Sequence, residues 1–118
     1  IQDISRTRII PFQVSSPNFI TQKKVQGQKL FNPSIKKIKQ LSNKIVLIEN
    51  ADPGFDWIFS SNILALVTKY GGINSHMSIR CAELGIPAAI GCGDQIFSQL
   101  LKKKSIYLDC SASAIYSI

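Results

Sequence analysis

The 118 residues contain a single histidine, His76, within the stretch YGGINSHMSIRCAELGIPAAIG at residues 70–91. An apolar run leads into Gly71 and Gly72, whose missing side chains allow unusual dihedrals and close approach by another molecule. Asn74 and Ser75 are both good helix caps, which puts His76 at or near a first helical position. A helix start offers unpaired N–H groups and a partial positive charge, a setting that receives phosphate. An imidazole there can attack phosphorus through a neutral ring nitrogen, and nearby N–H donors can hold the dianion that results. A free histidine titrates near pH ~6.5, and a helix N-terminus disfavours its cation, so the nucleophile stays available. Taken alone, however, a histidine near a helix start is more often a capped or half-buried structural residue. The residues by themselves leave both readings open.

The flanking elements alternate. KIVLIEN (44–50) is a near-continuous apolar run of the kind buried on both faces of a sheet. ADPGFDWIFSSN supplies a turn and a helical turn or two, and ILALVTKY (63–70) reads as a second buried strand. A helix is predicted over about 75–84, stopped by Gly85, with IPAAIG (86–91) as a third strand. DQIFSQLLKKK (94–104) reads as a helix capped by Asp94, followed by SIYLDC and a final AIYSI. Upstream, RIIPFQV (8–14) and KKVQGQKLF (23–31) are β-like and separated by the turn-prone SSPN. In NPSIKKIKQLSN (32–43), Ile35, Ile38 and Leu41 recur every three residues, as in a short amphipathic helix or a tether. The pattern predicts an α/β core with parallel pairing and an additional antiparallel layer from the N-terminal runs.

Composition narrows the classes. A hydrophobic fraction of 45% and a charged fraction of 18% suit one globular domain with a real core. No apolar run approaches the roughly 20 residues of a membrane span, and no signal pattern opens the chain, so it reads as soluble and cytoplasmic, without a membrane partner. The chain starts at Ile1 and its only methionine is Met77, so it reads as a piece of something longer. Cys81, Cys92 and Cys110 lack CxxC pairing, and with one histidine they predict buried free thiols and no metal site. Net charge is +7, with lysines clustered at 23–24, 36–39 and 102–104. These runs lack interleaved aromatics and lend nucleic-acid binding little support, a solvated surface being the simpler reading.

Residues 71–91 resemble the phosphohistidine signature of the phosphoenolpyruvate-utilising enzymes, a run of the type G-G-x-T-x-H-A-A-[IV]-x-[AS]-R-E-x-G-[IV]-P-A-[VI]-[VI]-G. The matching positions are Gly71, Gly72, His76, Ile79, Glu83, Gly85, Ile86, Pro87, Ala88, Ile90 and Gly91. The similarity extends over about 44–118, with residues 1–43 as a β segment and tether of uncertain boundary, and 1–118 together as one domain. The resemblance implies a three-layer swivelling β/β/α domain of the phosphohistidine type. His76 would carry a phosphoryl group from ATP, held with Mg on a separate ATP-binding domain, to an acceptor such as pyruvate on an acceptor-binding domain. The domain itself would bind no cofactor and would not turn over alone. A hydroxyl or amide acceptor, or a non-phosphorylated docking or regulatory module, remains as an alternative.

By the same resemblance Gly71 and Gly72 shape the loop, while Asn74 stands where threonine is usual and Ser75 also lies beside the phosphate. Two departures from the family pattern matter. The family's arginine falls on Ala82, and Met77 and Ser78 stand where small alanine-like residues are common. Arg80 lies about 160° from position 82 around a helix but at i+4 from His76, so either it pairs with the phosphate or it meets only Glu83 and solvent. Met77, Cys81 and Leu84 form an i, i+4, i+7 stripe expected in the core. Glu83 reads as a structural partner, and Asp52, Asp56 and Asp109 as turn or strand-end residues without catalytic work.

Overall fold

The structure is a computed structural model and describes residues 17–118. The β-like run at 8–14 lies outside the described residues. Seven strands are present among them: β1 (Asn18–Ile20), β2 (Lys24–Phe31), β3 (Ile45–Asn50), β4 (Ala65–Tyr70), β5 (Ala88–Ile90), β6 (Ser105–Asp109) and β7 (Ala114–Ser117). Two α-helices, α1 (His76–Leu84) and α2 (Gly93–Leu100), and two 3-10 segments, Ile35–Leu41 and Pro53–Ser60, connect them.

The strands form one mixed sheet in the order β1-β5-β4-β3-β2-β6-β7. Strands β2 to β5 run parallel to one another, with Ile45 opposite Ala65 and Leu66 opposite Ala88, and the edges are closed by antiparallel pairs. The expected antiparallel unit exists, but only one of its strands comes from the N-terminal third. β2 divides its pairing: Lys24–Gln28 run antiparallel to β6, while Lys29–Phe31 run parallel to β3. The unit β2-β6-β7 is therefore continuous with the parallel strands and draws two strands from the C-terminus.

Ile45, Val46, Leu47 and Ile48 are all fully buried, as the unbroken apolar run predicted. Alternation along the strand explains how: Val46 and Ile48 join one core, with Leu66, Met77, Cys81 and Ile90, while Ile45 and Leu47 join the other, with Phe97, Leu100, Ile106 and Leu108. Each such side chain contributes about 2 kcal/mol by leaving water. Helix α1 covers the first face and α2 the second.

Three local expectations are corrected. The buried stripe of α1 is Met77, Ser78 and Cys81, whereas Leu84 is 46% exposed because the helix ends there, past the core, at a left-handed Gly85 cap. Asp94 does not cap α2. The cap position is Cys92, and the Asp94 carboxylate instead reaches Lys69 Nζ on β4 at 2.6 Å. Residues 35–41 form a 3-10 segment capped by Ser34, broken at Lys37, with Leu41 its only buried residue. All three cysteines are free and buried, as expected, and burial pushes the Cys81 and Cys92 thiols up to about 12.

Candidate functional site

Strands β3 and β4 are parallel neighbours, so the segments leaving their carboxyl ends share one rim of the sheet, the usual place for ligands in open α/β sheets. After β3, Asp52 accepts from the Gly54 N–H at 2.9 Å and Pro53 presets the first turn, starting the 3-10 segment that carries Asp56 and Phe59. After β4, Gly71 adopts φ +131°, where L side chains are strained, and a Cβ there would stand 2.6 Å from that of Ala51. Gly91, at φ +75°, lies against the carbonyl of Gly71 and donates its N–H to Thr68 Oγ1 at 3.0 Å. The chain then turns, with Ser75 N–H on the Gly72 carbonyl at 3.0 Å, and α1 begins at His76.

His76 is exposed, its side chain 40% accessible, and is not sealed in either core. Its Nε2 lies 2.7 Å from Asp56 Oδ1, and Arg80 Nε donates to the same oxygen at 3.0 Å. Arg80 Nη1 also reaches Glu83 Oε1 at 3.4 Å, and its guanidinium sits 5.4 Å from the centre of the Phe59 ring, a cation–π contact. The hydrogen bond from His76 and the charge and hydrogen bond of Arg80 hold the Asp56 carboxyl below its ordinary value, against partial desolvation. An ionised carboxylate only accepts, so the ring proton facing it is on Nε2.

The remaining expected residues are placed as follows. Ser75 is the N-cap of α1, its Oγ accepting from Ser78 N–H at 3.4 Å, while Asn74 is exposed in the preceding turn. The N–H groups of His76 and Met77 stand at the first two helical positions, which have no intrahelical acceptor. A Cβ at Gly72 would meet nothing within 4 Å, so the close approach in this loop belongs to Gly71 and Gly91. Arg80 reaches Glu83, one of its expected partners, and shares Asp56 Oδ1 with His76, a nearer partner that its spacing did not indicate. The sequence marks Asp56 only as a turn residue, and the structure makes it the shared partner of His76 and Arg80. The only sequence signal for it was that its segment and the His76 loop each follow a buried strand. Among the described residues no three His, Cys, Asp or Glu side chains converge as a metal site would need.

An exposed imidazole thus shares a carboxylate with an arginine at the rim of a parallel sheet and at the start of a helix. Residues 41–113 match the family described as PEP-utilising enzyme, mobile domain, and the chain belongs to that family. It is 33% identical over 90 residues to a probable phosphoenolpyruvate synthase of Staphylothermus marinus, covering 74% of this chain and 10% of that protein. It is 39% identical over 70 residues to a phosphoenolpyruvate synthase of Synechocystis, covering 58% and 8%, and 30% identical over 93 residues to one of Neisseria meningitidis, covering 72% and 11%. The chain thus spans about a tenth of the length of these relatives. No helix among the described residues is long and apolar enough to cross a membrane.

Proposed function

We propose that this chain is the phosphocarrier domain of a multidomain phosphotransferase, and that His76 shuttles a phosphoryl group from ATP to an acceptor such as pyruvate. The observation that carries the proposal is the exposed His76 ring at the first position of α1, behind a glycine turn that only Gly71 can make. A lone pair of the neutral ring attacks phosphorus, the P–O bond to the leaving group breaks, and its electrons go to that oxygen. The N–H groups at the start of α1, Arg80, and the side chains of Asn74 and Ser75 receive the dianion. Gly71 shapes the loop that lets the site meet two partners in turn, and Gly72 leaves its surface bare for them. Nucleotide and Mg are gripped by an ATP-binding domain and the acceptor by another, in keeping with the phosphoenolpyruvate synthase names of the relatives. On this reading the domain is a three-layer swivelling unit of a cytoplasmic enzyme and does not turn over alone.

The test is to give the intact protein labelled ATP. His76 is expected to gain one phosphoryl group, acid-labile and base-stable, that is absent in His76→Ala. Native protein that never gains it with ATP refutes the proposal. A docking or regulatory module without phosphorylation is the second reading, favoured by Ala82 in place of the family's arginine and by the Asp56 carboxylate against Nε2. The same labelling separates the two.

A further inference from the structure

We infer that Asp56 is a positioning residue whose carboxylate and the phosphoryl group exchange places at His76 Nε2 and at Arg80. The inference rests on the phosphocarrier reading and says how this chain manages the step without an arginine at position 82.

One oxygen, Asp56 Oδ1, accepts from His76 Nε2 at 2.7 Å and from Arg80 Nε at 3.0 Å. A phosphoryl group bonded to Nε2 would need the volume that this oxygen fills. It would also bring negative charge beside an ionised carboxylate, and like charges so close repel strongly. Both anions therefore compete for the same two donors, and only one can hold them. The two charged side chains differ in their freedom to move. Asp56 is 43% exposed and can rotate into water, whereas Arg80 is 32% exposed, with its guanidinium against the Phe59 ring and a second contact to Glu83. The arginine stays and the carboxylate leaves.

In the resting form Asp56 holds the ring by its Nε2 proton and neutralises Arg80. On loading, Nε2 gives its proton to water while Nδ1 takes one, so the proton count of the ring is unchanged. The Nε2 lone pair then forms the N–P bond, the P–O bond of the polyphosphate donor breaks, and the electron pair departs with the donor oxygen. Arg80, released by Asp56, turns to the phosphoryl oxygens. On unloading, an acceptor oxygen bonds to phosphorus and loses its proton to water, the N–P electrons return to Nε2, and Nε2 takes a proton from water while Nδ1 gives one up; the returning carboxylate then recovers both donors, which favours departure of the phosphoryl group. Asp56 thereby lowers the stability of the loaded form and keeps transfer reversible. Ala82 is exposed and about 160° around the helix from Arg80, so the cation at this site is recruited by Asp56 rather than inherited from the family position.

The experiment uses phosphoramidate, a small phosphoryl donor, on the 118-residue chain, with occupancy at His76 read by intact mass and 31P NMR. Asp56→Asn and Asp56→Ala are each expected to raise the loaded-to-unloaded ratio about three- to tenfold over wild type, the range for losing one or two exposed charged contacts. Hydrolysis of the loaded form should slow, and adding Arg80→Ala should cancel most of the gain. The 15N shifts of the resting His76 ring should move towards the free tautomer mixture in both Asp56 variants, a change that loss of packing alone would not give. If wild type labels at His76 but both Asp56 variants match it in ratio and hydrolysis, the exchange is wrong and the carrier reading stands. If wild type labels neither with phosphoramidate nor, as the intact protein, with ATP, both are wrong.

Discussion

Gly71→Ala and Gly72→Ala differ by one position and should have opposite outcomes. Gly71 has φ +131°, and its new Cβ would lie 2.6 Å from the Ala51 Cβ, a contact no rotamer can relieve because both atoms are fixed to backbone. Strained backbone of this kind costs about 1–3 kcal/mol, and overpacking typically another 1–3 kcal/mol. Together these predict a loss of about 2–6 kcal/mol, a large part of the roughly 5–15 kcal/mol that holds a domain of this size. A Cβ at Gly72 meets nothing within 4 Å, and Gly72 is not among the residues with positive φ. Reducing the freedom of the unfolded chain should make that substitution neutral or stabilising by up to about 1 kcal/mol. Urea unfolding of the two variants beside wild type, with the slope checked for constancy, measures both changes. If Gly71→Ala unfolds within about 0.5 kcal/mol of wild type, the glycine turn does not have the geometry described here and the placement of His76 loses its foundation.

Other consequences are open to direct measurement. Cys81 and Cys92, buried with thiols pushed up to about 12, and buried Cys110 should resist a thiol reagent in the native chain at pH 8, while all three react at once in denaturant. A fast-reacting native cysteine would contradict the two cores. His76 and Arg80 hold the Asp56 carboxyl below its ordinary range in the folded state, which therefore binds fewer protons there than the unfolded one. Its contribution is complete above the unfolded value and fades as pH falls through the folded one. Acid unfolding followed by circular dichroism should therefore show a shallower fall below about pH 4 in Asp56→Asn than in wild type.

Much of the molecule is readable from its residues, and the unreadable parts have a common cause. The unbroken apolar stretch at 45–48, the stop at Gly85 and the placing of the histidine at a helix start follow from local chemistry, since each signal and its effect lie within one turn or one strand. Asp56 is 20 residues from His76, and only the pairing of β3 with β4 brings them together. The divided pairing of β2 is likewise non-local, because its antiparallel neighbour is β6, some 80 residues later in the chain. Leu84 obeys the helical period yet reaches no core, since periodicity fixes direction but not where the core ends. Asp94 has the chemistry of a cap and is drawn off by Lys69, a competitor that local reading could not see.

A strand wrapped in hydrocarbon on both sides has an unusual weakness. In most sheets a slip by one residue drags every second polar group inward, but along Ile45 to Ile48, opposite Ala65 to Thr68, the inner positions would stay apolar and only Lys44 or Glu49 at an end would be drawn in. The alignment of this centre must then be enforced by shape, through the differing bulk of alanine, valine and isoleucine, and by fastenings at the strand tips such as Thr68 with Gly91. Insertions and deletions should be rarer in β3 than in the segments on either side of it, even though its polarity pattern alone would tolerate them.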